Sequence, residues 1–374
     1  MKIGILTFWW TTDNYGQILQ CYALQQYLKK HGHEAFLIRY NSYTEIKKHY
    51  LTYSFRKIFS LKNIALFSKK SVNKILLKIY RQNSNREFDS FRKKYISLSD
   101  KIYNSYEDLK NNSPEADIYI VGSDQVWNPN CIGVGNAKSK ISNNIINAYF
   151  LNFGTAKRIS YAASFSNSKL PVAYKNKITP LLQEFDYISV REQEGVKICE
   201  ECERSDAQWV CDPTMLLNAE DYRKLYQEDL NIRIKTKKYI LLYILNNDIK
   251  FDINKVYNFA KEKNLEVVYI TANGKWDKKE QFNATVTEWL YLIDNAEYVI
   301  TNSFHCGVFS TIFNKKYGII PLSGKCLPMN KRFDNLFERA NITSRYVNEN
   351  DFSILENVYS SKIENKSDFL KHIN

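Results

Sequence analysis

The chain has 374 residues, of which 44% are hydrophobic and 25% charged, with 12 Gly and 7 Pro. This composition excludes fibrous, low-complexity and disordered classes, and the length exceeds what one core usually organises, so two domains are expected. The net charge of +13 is local: residues 47–94 carry 14 lysines and arginines against Glu87 and Asp89, which leaves the rest nearly neutral.

The stretch from Met1 to Trp10 is too short an apolar run for a signal peptide and has no small-residue cleavage site. No segment approaches the roughly 20 apolar residues of a membrane span, so a cytoplasmic protein is expected. Residues 3–8 form an apolar run suited to a buried parallel strand. Asn14, Tyr15 and Gly16 make a turn, Gln17 to Lys30 read as a helix stopped at His31-Gly32, and Ala35 to Tyr40 is the next strand. The basic window follows, with Leu51, Phe55, Ile58 and Phe59, then Val72, Ile75, Leu76 and Ile79, at near-helical spacing between lysines. Asp117–Val121, Arg158–Ala163 and Tyr187–Val190 are further short strands.

The first half closes near Cys211-Asp212-Pro213-Thr214; a polar helix (Ala219 to Tyr226) and the charged stretch Asp229 to Lys238 then link it to a second alternation. Strands Tyr239–Leu245, Leu265–Thr271, Tyr298–Thr301 and Tyr317–Ile320 are interleaved with helices Val256–Lys263, Thr287–Asp294 and Gly307–Phe313. Tandem strand–helix alternations predict an α/β chain of two Rossmann-like domains facing a cleft. The boundaries expected are 1–228 with a basic helical insertion at about 47–94, then 229–345, then a tail of 346–374 packing across the junction.

Seven cysteines at irregular spacings do not form a disulfide framework. Cys199 and Cys202 lack the second pair or nearby His that a zinc site needs, so structural thiols and no metal are expected.

In open parallel sheets, ligands sit beyond the carboxyl ends of the strands. Four polar clusters fall at such ends: Thr11 to Gly16, Gly122 to Gln125, Arg191-Glu192, and Asn302 to Gly307. The last is the sharpest, because His305 lies on a strand-to-helix turn whose N–H groups and dipole suit a phosphate. His is also the side chain best suited to move a proton near neutral pH, although a His that only caps the helix fits the same placement. Arg191 can grip a carboxylate or phosphate, or pair with Glu192 or Glu194. Asp124 can act as base or hydroxyl binder, or as a cap. Tyr15 and Trp127 offer rings for stacking on a sugar, or for a core. No Walker loop, kinase set, nucleophile elbow or dinucleotide fingerprint is present.

Five segments in order resemble the polysaccharide pyruvyl transferase family: Asn14 to Gln25, Gly122 to Pro129, Ser189 to Glu192, Asp212 to Thr214, and Thr301 to Gly307. The resemblance implies a fold like that of the GT-B glycosyltransferases. It also implies transfer of a pyruvyl group from phosphoenolpyruvate to a sugar of a surface-polysaccharide precursor, as a ketal, with release of phosphate. It makes Arg191 and His305 donor-binding residues and His305 the candidate acid; in that chemistry a carboxylate such as Asp124 can orient or deprotonate the sugar hydroxyl. Asn14, Tyr15, Gly16, Ser123, Gln125, Trp127, Ser303 and Phe304 complete the implied substrate site, and no metal or organic cofactor is called for. Some members carry an Arg two residues before the His, where this chain has Ser303. Either Arg332 or Lys331 supplies a second cation in its place, or the donor is bound differently.

Two other functions fit the same pattern: a glycosyltransferase of GT-B type using a nucleotide sugar, and a non-catalytic protein of polysaccharide assembly. The basic window reads either as a dock for an anionic membrane surface, where lipid-linked sugar acceptors reside, or as a solvated insertion. Nucleic acid is not expected as a partner, because no recognised module accompanies the charge.

Overall fold

A computed structural model describes residues 1–42, 86–134, 139–229, 232–234, 236, 238–245, 249–272, 279–357, 359 and 369–373. Most of the basic window therefore lies outside the described residues, and with it the expected membrane dock.

The first sheet is parallel, in the order β3-β2-β1-β4-β5, built from β1 (Lys2–Leu6), β2 (Glu34–Tyr40), β3 (Leu98–Tyr103), β4 (Ile118–Val121) and β5 (Lys157–Ser160). Parallel bridges from Ile159 to Tyr187 and from Ala163 to Val190 continue it into the short pair β6 (Ser189–Val190) and β7 (Gln208–Trp209). The second sheet, also parallel, runs β11-β10-β8-β9, from β8 (Tyr239–Ile244), β9 (Glu266–Thr271), β10 (Tyr298–Thr301) and β11 (Tyr317–Ile319). All-parallel sheets are covered on both faces, which is why β1, β4, β8 and β10 read as nearly unbroken apolar runs.

Two helices position the site. Helix α1 (Tyr15–Lys30) begins at Asn14, whose side chain accepts from Gln17 N, and almost all of its residues as far as Gln25 are buried. It packs between the two halves of the molecule, so its apolar residues surround the axis instead of forming a stripe. The later helices of the first half are α2 (Phe88–Tyr95), α3 (Tyr106–Asn111), α4 (Lys140–Tyr149), α5 (Val172–Gln183) and α6 (Gln193–Glu201). The second half adds α7 (Ala219–Gln227), α8 (Asn254–Glu262), α9 (Val286–Asn295), α10 (Phe304–Ile312) and α11 (Lys331–Arg339).

The halves meet along an aromatic seam. Tyr15 at the head of α1 stacks on Trp289 of α9 at 5.1 Å and 6°, packs edge-on to Tyr243 of β8, and donates to the Ala284 carbonyl at 2.7 Å. Arg86 spans the same seam, donating to the Thr271 carbonyl at 2.7 Å and to Asn283. Arg92 donates to the carbonyls of Trp9 and Thr11, which fixes the loop leading into α1. These two members of the basic window are thus buried brackets inside the fold and do not face solvent.

Residues after Arg345 touch both halves: Leu355 packs in the core of the second sheet, whereas α12 (Phe369–Ile373) sets Phe369 on Tyr161 and Tyr187 of the first. Cys199 and Cys202 are buried in the core of the first half, where burial pushes both thiols up. Among the described residues, no group of three or more His, Cys, Asp or Glu is placed to hold a metal. No described helix is long and apolar enough to cross a membrane.

Candidate active site

The carboxyl ends of β1, β4, β8 and β10 face one another across an open cleft of about 350 Å³. It is lined by Asn14, Asp124, Gln125, Asn302, His305 and Arg332 on its polar surface, and by Leu245, Phe304, Leu322 and Met329 on its apolar one. Helix α10 begins one residue before His305, and its N-cap Ser303 accepts from Cys306 N. Helix α1 enters from the opposite side so closely that a Cβ on Gly16 would overlap the Cβ, Cγ and Nδ1 of His305. Only glycine fits there. The N-termini of two helices consequently approach one another at His305, where the first-turn N–H groups and dipoles of both favour an anion.

Behind His305 lies Asp212, whose side chain is fully buried. Its Oδ2 sits 3.5 Å from His305 Nε2 and accepts from Arg191 Nη1 at 3.0 Å and Ser123 Oγ at 3.1 Å. Its Oδ1 accepts from Thr214 N at 3.0 Å and Thr214 Oγ1 at 2.8 Å. Burial alone would raise this carboxyl, but His305, Arg191 and the Thr214 N–H outweigh it and hold Asp212 far below the usual carboxylate range. His305 Nε2 itself is buried without a hydrogen bond.

Arg191 is held by Asp212 and, through Nε, by Glu192 Oε1 at 3.4 Å, and its guanidinium lies 4.9 Å from the Phe304 ring centre. Burial works against the Arg191 charge, but Glu192, Asp212 and Asp124 more than compensate and raise its pKa. Ser164 Oγ donates to Glu192 Oε1 at 2.5 Å. Beside Phe304, a gap of about 20 Å³ is lined by Arg191, Glu192, Asp212, Arg332, Asn335 and Arg339.

Asp124 takes φ +77°, a left-handed conformation uncommon for a residue with a side chain. Its Oδ2 accepts from Gln17 Nε2 at 3.2 Å and its Oδ1 from Gln125 N at 2.9 Å, which aims the carboxylate into the cleft.

The structure brings His305, Asp124, Asn14, Gln125, Phe304 and Arg332 to the cleft, and places Arg191 and Ser123 one layer behind. Ser303 serves as a cap and Gly16 as the floor under His305. Two expected sugar-stacking rings are corrected. Tyr15 is sealed in the seam, and Trp127 is fully buried between Phe150 and Phe165 with its Nε1 donating to the Tyr149 carbonyl. Neither has a free face, because each is the large apolar body that fills its layer. Asp212 had no role assigned from sequence. Its signal was the Asp-Pro-Thr turn after a strand of only two residues, too short to show a period.

Two Rossmann-like parallel sheets with a polar cleft between their carboxyl edges define a GT-B-type α/β protein. The UDP-GlcNAc 2-epimerase of Methanocaldococcus jannaschii shares this fold: one structure of it superposes with a TM-score of 0.52 at 12% identity over 98% of this chain and 95% of that one. Its complex with UDP-GlcNAc and UDP gives a TM-score of 0.50 at 11% identity, again over 98% and 95%. No curated protein sequence matches. The model of the polysaccharide pyruvyl transferase family matches residues 14–317, and the chain belongs to that family.

Proposed function

We propose that the chain moves the pyruvyl group of phosphoenolpyruvate onto two hydroxyls of a sugar unit in a polysaccharide precursor, with His305 as the proton donor. The observation that carries this reading is the placement of His305, which lines the cleft where two helix N-termini meet, with the Asp212 carboxylate 3.5 Å behind it. The imidazolium gives its proton to the methylene carbon, which becomes a methyl group and leaves an oxocarbenium-like centre at C2. A sugar hydroxyl attacks C2, the C2–O bond to phosphate breaks with its electron pair going to phosphate, and a second hydroxyl closes the ketal. Of the two hydroxyl protons, one returns to His305 and the other leaves on phosphate. Asp124, steered by Gln17 and Gln125, accepts from the attacking hydroxyl, while the N–H groups of α1 and α10 receive the departing anion. Phosphoenolpyruvate is a co-substrate in this scheme, which draws on no further cofactor.

A second reading, transfer from a nucleotide sugar, has the shared fold alone behind it, one protein of that fold being an epimerase in complex with UDP-GlcNAc and UDP. Incubation with phosphoenolpyruvate or with UDP-sugars, in each case with lipid-linked and free oligosaccharide acceptors, separates the two. Acceptor-dependent release of inorganic phosphate supports the first reading, and release of UDP with no phosphate replaces it by the second.

A further inference from the structure

The three nitrogens of the Arg191 guanidinium are in three different situations. Nη1 donates to Asp212 Oδ2 at 3.0 Å, and Nε lies 3.4 Å from Glu192 Oε1. Nη2 is buried with no hydrogen-bond partner among the described residues. A planar fork gripped at two nitrogens cannot swing, so the third is aimed in one direction. Arg191 lines the gap beside Phe304, and Phe304 and Arg332 line both that gap and the cleft. An anion that enters there from the cleft meets a buried donor group with no competing partner, and pairing with it removes the cost of leaving it unsatisfied.

Glu192 has no part in the chemistry proposed above, yet its side chain is only 6% exposed. Its position is enforced. Ser164 Oγ donates to Oε1 at 2.5 Å, and Ser164 is itself pinned: its N–H donates to the Asp124 carbonyl at 3.0 Å and its carbonyl accepts from Trp127 N at 3.2 Å. Among the described residues Oε2 has no partner, and a buried carboxylate left half-paired is costly. Capping does not account for it, because Glu192 stands at the N-cap of α6 without a side-chain cap bond.

We infer that Glu192 is a positioning residue for the donor: with Asp212 it clamps Arg191 at Nε and Nη1, so that Nη2 is presented to the donor's anionic group once the Phe304 ring turns aside. Ser164 then sets both ends of the site, since its hydroxyl holds Glu192 and its backbone holds the loop that carries Asp124. The inference rests on the donor reading above for the identity of the anion. The rival account makes Glu192 a bystander: burial works against the Arg191 charge, and Glu192 is the first of the charges that offset it. The two accounts differ in sign. A carboxylate that only offsets charge repels an incoming anion, whereas one that aims Arg191 aids its binding.

Calorimetric titration with phosphoenolpyruvate and with inorganic phosphate, without acceptor, tests the assignment on wild type, Glu192→Asp, Glu192→Gln and Ser164→Ala, with the melting temperature of each recorded. Glu192→Asp keeps the charge but is one methylene too short to hold Nε. It is expected to weaken both ligands about 3- to 30-fold, and in turnover the loss should fall on KM for phosphoenolpyruvate more than on kcat. Glu192→Gln keeps the reach and an accepting oxygen, and should bind both ligands within about threefold of wild type. Ser164→Ala releases Glu192 and should weaken both by less than Glu192→Asp does; it carries the comparison if Glu192→Asp does not fold. Wild-type affinity in Glu192→Asp, or tighter binding in Glu192→Gln, is the mark of charge offset and overturns the assignment. Equal weakening in the Asp and Gln variants with lowered melting temperatures marks a structural role and also overturns it. A wild type that binds inorganic phosphate but not phosphoenolpyruvate removes the donor reading and leaves Glu192 to be decided on the phosphate arm. A wild type that binds neither overturns the assignment.

Discussion

The two sides of Phe304 differ in how their charges are answered. On the rear side, Asp212 accepts four hydrogen bonds from Arg191, Ser123 and Thr214, and Arg191 is paired with Asp212 and Glu192 while its Nη2 is buried without a partner among the described residues. On the cleft side, Arg332 has among the described residues only a backbone carbonyl as partner, and Asn14, Asp124, Gln125 and Asn302 line the cleft beside it. His305 sits on the boundary, with its ring on the cleft and Nε2 turned to the rear.

The largest expected effect of breaking this division is at the boundary itself. His305→Ala should lower kcat for phosphate release about 10²- to 10⁴-fold, the usual contribution of a general acid, with little change in melting temperature. Next comes the rear network. Asp212→Asn leaves Arg191 and His305 without their shared carboxylate and should cost about 3–5 kcal/mol of stability, read by denaturant unfolding. Its pH dependence has a definite sign. Because the folded-state pKa of Asp212 is depressed, its contribution is fully present above the ordinary Asp value of about 3.9 and fades as pH falls below that toward the lower folded value. The wild type should therefore lose stability over that acid range, and the Asn variant should lose less there.

Gly16→Ala comes third. The added methyl must displace the root of the His305 side chain, and misplacement by about 1 Å costs roughly 10²-fold in kcat. Unchanged kcat would mean that the two helix heads do not hold His305 as closely as described. The smallest expected effect lies away from the site, in the seam. Tyr15→Phe keeps the stack on Trp289 but leaves the buried Ala284 carbonyl unpaired, for a loss of about 1–3 kcal/mol in thermal or denaturant unfolding and a near-normal kcat.

Much of the fold was legible because buried parallel strands declare themselves. Tyr298–Thr301 was read without error from its apolar run, and β1, β4, β8 and β9 to within a residue or two. Strand β3 was not seen, since Leu-Ser-Asp-Lys-Ile-Tyr is an edge strand whose exposed residues carry charge and break the pattern. Helices α4, α5 and α11 were missed as well. The first is rich in Asn, the second contains Pro180, and the third alternates charge with aromatics over only nine residues. At the site, placement at strand ends identified His305, Asp124 and Arg191, because topology alone brings those ends together. That Arg191 and Arg332 both reach the Phe304 ring depends on how α11 packs on α10, and that is not written in either helix alone. Likewise, the closeness of Gly16 to His305 spans almost 290 positions and appears only in the folded chain.

The proton is the most direct probe of what His305 does. Transfer from phosphoenolpyruvate in D₂O, read by mass spectrometry and NMR of the modified acceptor, should give a ketal methyl carrying one solvent-derived deuterium. Inorganic phosphate should appear in equal amount, and both signals should collapse in His305→Ala. A product that keeps its methylene as an enolpyruvyl ether, or phosphate release undiminished in His305→Ala, would contradict proton donation by His305.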